Sequence, residues 1–137
     1  MKNLTVAIFS RCAIGTAFHT AIGGRLYDRV PQSAVWPYAR YTIVTIDPWR
    51  TFTEDLEDIV FQFSLFSSTS SADEIKDICT ALISLYDKAT FNPTGSKVVG
   101  MEYLRGGEPR DVFDDTEEGT SRYWQSDVEF KILLSRD

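Results

Sequence analysis

Between residues 22 and 38 the chain concentrates glycine and proline in one link: Ile22-Gly23-Gly24-Arg25-Leu26-Tyr27-Asp28-Arg29-Val30-Pro31, closed by Trp36-Pro37-Tyr38. Glycine supplies the positive φ that a helix C-terminus favours, so a helix is expected to stop at Ile22. Pro37 fixes its own φ and biases Trp36 toward an extended backbone, so a strand is expected to begin near Tyr38. A short helix and a strand joined by a stiff connection are thus specified before any other element is considered.

The remaining pattern supplies the partners. Leu4, Ile8 and Cys12 recur at four-residue spacing, with Phe9 and Ala13 beside them, and predict a helix over residues 2–18. Residues 38–46, rich in β-branched and aromatic types, read as a strand. Residues 57–66 alternate, with Ile59, Phe61, Phe63 and Leu65 against Gln62 and Ser64, which marks a half-buried strand. Ser71 with Glu74 resembles a capping box opening a helix over 71–88, whose stripe is Ile75, Ile78, Cys79, Leu82, Ile83 and Tyr86. After the turn signal Asn92-Pro93-Thr94-Gly95, strands are expected over 98–104 and 122–134, the latter with Trp124, Val128, Phe130, Ile132 and Leu134 on one face. The expected fold is α+β: an antiparallel four-stranded sheet with two helices packed on one face, in the order α-β-β-α-β-β, as a single domain over residues 1–137.

Charge and composition narrow the chemistry. The net charge of −6 disfavours a protein that grips nucleic acid by neutralising phosphates, so the expected partners are proteins. No run of eighteen apolar residues occurs, and the first helix is interrupted by Arg11, so neither a membrane span nor a secretory signal is expected and synthesis in the cytosol is. Cys12 and Cys79 fall at apolar helix positions and read as reduced core residues. His19 is the one histidine, and no Gly-x-Ser-x-Gly elbow accompanies it, so an interaction with helix-terminal carbonyls is favoured over catalysis. The acidic run from Asp111 to Glu118 lacks the ligand alternation and central glycine of an EF-hand loop, and Gly106-Gly107 precedes no lysine-bearing helix, so no metal, cofactor or phosphate site is expected.

Two features point to contact rather than catalysis. Asp47-Pro48-Trp49-Arg50-Thr51-Phe52 opens an apparent excursion between strands, and Trp49, Arg50 and Phe52 are candidate contact residues because aromatic side chains in a polar loop commonly anchor interfaces. The acidic residues gather in two clusters, one at Glu54, Asp55, Glu57 and Asp58, the other at Glu108, Asp111, Asp114, Asp115, Glu117 and Glu118, both in expected connections.

Gly24-Arg25-Leu26-Tyr27, Val30-Pro31-Gln32, Trp36-Pro37-Tyr38, the helix over 71–88 and the closing strand from Tyr123-Trp124 to Leu134 together resemble the tail completion, or tail terminator, proteins of long-tailed bacteriophages. The resemblance covers nearly the whole chain and implies a virion protein without enzymatic activity, made in the host cytoplasm and located at the head–tail junction. It implies a ring, commonly a hexamer, that caps the tail tube, stops its polymerisation and joins it to the head connector. The implied partners are copies of itself, the major tail tube protein and a head-completion or connector protein, with DNA passing through unbound. Carboxylates repel phosphates and would keep such a passage slippery, so one of the sets Glu54 and Asp55, or Asp111, Asp114, Asp115, Glu117 and Glu118, is expected to face the lumen. A different neck or head-completion component and a small acidic inhibitor are the alternative readings. For Arg25, Tyr27 and Asp28 the preferred role is structural, fixing the link between helix and sheet.

Overall fold

Ile59, Phe61, Phe63 and Leu65 are all fully buried, and the architecture is organised around the strand face they share. The computed structural model describes residues 2–12, 16–31, 35–50, 55–69, 71–89, 96–116 and 119–136. In chain order these form α1 (Lys2–Arg11), α2 (Ala17–Ile22), β1 (Leu26–Tyr27), β2 (Tyr38–Arg50), β3 (Asp55–Ser67), α3 (Asp73–Tyr86), β4 (Ser96–Gly106), β5 (Arg110–Thr116) and β6 (Gly119–Arg136). The sheet order is β1-β2-β3-β6-β4, with β5 also paired to β6. All pairings are antiparallel except β1 with β2, which is parallel.

The expected four-stranded sheet in the order α-β-β-α-β-β is therefore corrected to a mixed sheet of six strands with three helices, in the order α-α-β-β-β-α-β-β-β. Each difference has a local cause. The first helix is two helices, because Thr16 restarts the chain as an N-cap whose side chain accepts from the His19 N–H at 3.2 Å. The link carries a short strand of its own, held where Ala39 N–H donates to the Arg25 carbonyl at 2.9 Å. The apparent excursion is a strand continuation: Asp47 pairs with Asp58, Pro48 with Glu57, Trp49 with Leu56 and Arg50 with Asp55. The acidic stretch from Arg110 to Thr116, read as a connection, pairs in full with residues 119–125 of a lengthened closing strand.

The helix face of the sheet is one continuous core. Leu4, Ile8 and Cys12 of α1 and its exit, Phe18 and Ile22 of α2, and Ile75, Ile78, Cys79, Leu82 and Tyr86 of α3 join the inward residues of β3 with Val128, Phe130, Ile132 and Leu134 of β6. All three helices thus cover the same face, as the sequence pattern implied for two. Phe18, Phe63 and Tyr86 meet at its centre, Phe18 lying edge-on to both of the others at 6.3 Å and Phe63 4.9 Å from Tyr86. The buried Tyr86 hydroxyl donates to the Ile8 carbonyl at 2.7 Å and Arg11 Nε donates to the Leu85 carbonyl at 2.9 Å, which fastens α1 to the end of α3.

The stripe expected over 71–88 appears as α3, but its start differs. Ala72 occupies the N-cap without a side-chain cap bond. The Glu74 carboxylate instead accepts from the Ser67 hydroxyl at 2.7 Å, tying the helix to the end of β3, while Ser71 Oγ accepts from the Asp73 N–H at 3.2 Å. Among the described residues no helix is long and apolar enough to cross a membrane.

Candidate functional site

The face of the sheet opposite the helices carries a second, shallower aromatic group. Tyr38 and Phe66 are directly opposed on β2 and β3 and stack at 4.9 Å. Trp36 lies 5.0 Å from Tyr38 and 5.4 Å from Tyr123, and Tyr27 approaches Tyr38 at 6.2 Å. The stiff link exists to deliver Trp36 to this place. Arg25 Nε donates to the Pro37 carbonyl at 2.8 Å and its Nη2 to the Trp36 carbonyl at 3.3 Å, across a cis Trp36–Pro37 peptide. Arg40 Nε donates to the Asp28 carbonyl at 3.2 Å. Gly24, at φ +74°, leaves room for His19, whose Nε2 would lie 2.8 Å from an added Cβ.

Tyr123 stands at the root of a projecting arm. β3 ends its pairing with β6 at Ser67 opposite Trp124, while β5 and β6 run on together from Arg110 opposite Gln125 to Thr116 opposite Gly119. At the root, Arg122 Nη2 donates to Asp111 Oδ2 at 2.6 Å and its Nε is shared between Oδ1 at 3.2 Å and Oδ2 at 3.1 Å, and these bonds hold the Asp111 carboxyl below the usual carboxylate range. A polar hollow of about 390 Å³ opens beside the pair, lined by Ser68, Thr69, Tyr123 and Trp124.

The two acidic clusters fall at opposite ends of β6, since Arg136 pairs with Asp55 and Gly119 with Thr116. Asp58 is engaged by Lys131 at 3.4 Å. Asp111, Asp114 and Asp115 follow one another along β5, opposite Trp124, Ser121 and Thr120. Glu117, Glu118, Phe52 and Glu54 lie outside the described residues. Trp49 and Arg50 are the last two residues of β2, opposite Leu56 and Asp55. The chain thus separates the contact candidates and the arm cluster by the length of the sheet.

The described groups are ill suited to nucleophilic chemistry. Burial pushes the Cys12 thiol up to about 11 and raises Cys79 as well, so both are protonated near neutral pH. His19 sits at the end of α2, its carbonyl accepting from Gly24 N–H at 2.9 Å. Among the described residues no group of three or more His, Cys, Asp or Glu side chains is arranged to hold a metal.

Sequence reasoning missed the apolar residues of the sheet borders. Val44 and Ile46 on β2, and Tyr103 and Leu104 on β4, are exposed. The period-two pattern breaks at both places because each border strand carries a bulge, between Ile43 and Thr45 and between Tyr103 and Arg105. The Trp36, Tyr38, Phe66 and Tyr123 group did leave a signal at Phe66, which is aromatic at a position that alternation assigns to the wet face; Tyr38 shares that face because it pairs with Phe66.

A protein-family model described as "Tail completion protein gp17" matches residues 6–134. Among solved structures, the chain is similar to one in "Virion of native gene transfer agent (GTA) particle", at 15% identity and a TM-score of 0.74, covering 93% of this chain and 91% of that one. At that identity the likeness speaks for a shared fold. No curated protein matches.

Proposed function

The chain belongs to the tail completion protein gp17 family and is a structural protein of a phage-type virion, acting in tail completion at the head–tail junction; from that premise we propose that it closes into a ring of six copies that caps the finished tail tube and receives the head connector. The observation that carries this reading is the extent of the family match, which spans both the helical layer and every strand of the sheet. The ring stops addition of further tube subunits by occupying the growing end.

In this reading the end of β2 and the segment after it, with Trp49, Arg50 and Phe52, meet the tail tube or the neighbouring copy. The arm formed by β5 and β6 carries Asp114, Asp115, Glu117 and Glu118 toward the DNA passage, because residues 111–121 contain no lysine or arginine and Arg122 is engaged by Asp111. Asp58 of the other cluster already has Lys131.

Purified protein, mixed with tail tube subunits and followed by light scattering and negative-stain microscopy, tests the proposal. Rings at one end of tubes of arrested length are expected, against overlong tubes without the protein. A protein that stays monomeric and leaves tubes uncapped overturns it, and binding to the portal side alone reassigns it to head completion. Replacing Trp49 and Phe52 together by alanine is expected to leave the thermal transition of the free protein in place and to abolish capping.

A further inference from the structure

Resting on the ring reading, we infer that neighbouring copies join border to border, with Val44 and Ile46 of β2 in one copy meeting Tyr103 and Leu104 of β4 in the next. The two patches are unlike in sequence and lie on opposite borders of one sheet, since β1 pairs with β2 only at Ala39 and Arg40 and leaves Val44 and Ile46 beyond its end. That is the arrangement a head-to-tail contact requires, since one surface must meet a different surface of the neighbour for a rotation to close.

The register of the sheet puts the patches at the same height. Ile43 pairs with Phe61, Phe61 with Phe130, and Phe130 with Tyr103. The next row runs Thr45, Val60, Lys131, Glu102, and the one after it Ile46, Ile59, Ile132, Met101. Val44 and Leu104 are the extra residues of the two bulges, each adjoining the row that contains Ile43 and Tyr103. A second copy turned about an axis parallel to the strands therefore brings one bulge against the other with little shift along the strands. Strand direction agrees too. β2, β3, β6 and β4 alternate in direction, so β2 of the incoming copy runs antiparallel to the β4 it meets, and the alternation continues across the boundary.

Exposure and charge support the same pairing. Val44 is 46% exposed, Ile46 43%, Tyr103 39% and Leu104 40%; the other exposed large apolar residues among those described, Val6 and Phe9 of α1 and Val35 and Trp36 of the link, lie off these two strands. Arg40 pairs with Ser64, Ser64 with Asp127, and Gly107 N–H donates to the Asp127 carbonyl at 2.9 Å. Arg40, whose backbone is covered by Tyr27 of β1 and whose Nε donates to the Asp28 carbonyl, thus stands beyond the patch, level with the connection bearing exposed Glu108 on the other border. Asp47 stands level with Gly100, away from any acidic residue of β4, through Asp58 and Leu133.

The contact is made by side chains and not by a shared backbone ladder. Met101 O already accepts from Lys88 N–H at 2.6 Å, and Tyr103 N–H already donates to Asp87 Oδ1 at 2.9 Å. Pro48 has no N–H to offer a partner strand. These features block open-ended strand pairing while leaving the apolar side chains available.

Val44→Lys and Leu104→Glu, made singly, are expected to eliminate the ring at tube ends while circular dichroism and melting stay those of the folded chain. Combined in one chain they are expected to restore it, because each lysine then faces the neighbour's glutamate. A Val44→Cys, Leu104→Cys chain assembled on tubes and treated with diamide, which accepts the two electrons and two protons of each disulfide formed, is expected to give a ladder of covalent oligomers on a non-reducing gel. Rings that persist in both single charge variants, or wild-type-like rings of the cysteine chain without a ladder, overturn the border assignment and leave the ring reading standing. Absence of any ring from the wild-type chain overturns both.

Discussion

Tyr86 is the residue through which the helical layer is locked. Its ring packs against Phe18, Phe63 and Phe130, and its hydroxyl, desolvated enough that ionisation is pushed far upward, gives its proton to the Ile8 carbonyl. Tyr86→Phe keeps the packing and removes the donor, so urea unfolding is expected to report a loss of about 1–2 kcal/mol with an unchanged m-value. A variant as stable as the parent would show that the hydroxyl contributes nothing beyond its solvation cost. That Tyr86 belongs to a buried stripe was readable from the spacing of its neighbours; that it bonds Ile8 was not, because the partner lies 78 residues away and is a backbone carbonyl. Asp111 makes the opposite kind of residue-scale case, an exposed carboxylate held ionised by Arg122. Its pKa is depressed on folding, so the small stabilisation from the pair is present above the ordinary carboxylate pKa and is lost as pH falls through the lower folded value. Carboxyl-detected NMR titration is expected to place the Asp111 midpoint below that of a free aspartate, and Arg122→Gln to return it upward. An unshifted midpoint in the parent removes the pair as a determinant of the arm.

At the level of elements, what could be read from the chain was whatever repeats. The alternation through Ile59 to Leu65 and the stripe of α3 survive intact because both are driven by one-sided burial. Strands that bury little left no such pattern. Three of the seven residues of β5 are aspartates, and the end of β2 carries Asp47 and Pro48, yet both pair because a neighbouring strand already presents a register for them. Pairing across an existing ladder stabilises residues whose own strand preference is poor. The same reasoning identifies where β4 must turn away to reach β5. Gly106 adopts φ +99° and an added Cβ would stand 2.0 Å from the Asp127 carbonyl oxygen, a backbone atom that cannot step aside. Gly106→Ala therefore combines a disfavoured conformation with a clash, and a cost of about 2–3 kcal/mol is expected, read as a lowered melting temperature. Gly100→Ala is the control, since nothing lies within 4 Å of its added Cβ and its melting is expected to stay near the parent's. Equal effects of the two substitutions would mean that the turn is not what limits the border.

For the whole molecule, the separation of the two acidic clusters makes the proposed passage testable. Asp111 and Asp115 stand opposite Trp124 and Thr120 of β6, and Asp58 and Asp55 opposite Leu133 and Arg136, so at roughly 3.3 Å per residue the clusters lie about 30 to 50 Å apart along the strand. One can be altered without touching the other. DNA moving through a ring carries closely spaced phosphates and a condensed counterion layer, and lysines along the wall would bind it by releasing those counterions. Converting Asp114, Asp115, Glu117 and Glu118 to lysine is expected to leave virions assembled but to slow DNA ejection, with the delay shrinking as salt is raised, because the new attraction is screened. Converting Glu54 and Asp55 at the far end is expected to leave ejection unchanged. The salt dependence is the informative part: a slowing caused by a damaged arm would persist at high ionic strength, whereas one caused by charge would fade. If the far-end variant alone slows ejection, the lumen assignment moves to that cluster. Should neither variant respond, the acidic residues serve the outer surface of the ring, and the passage must owe its low friction to something other than carboxylates.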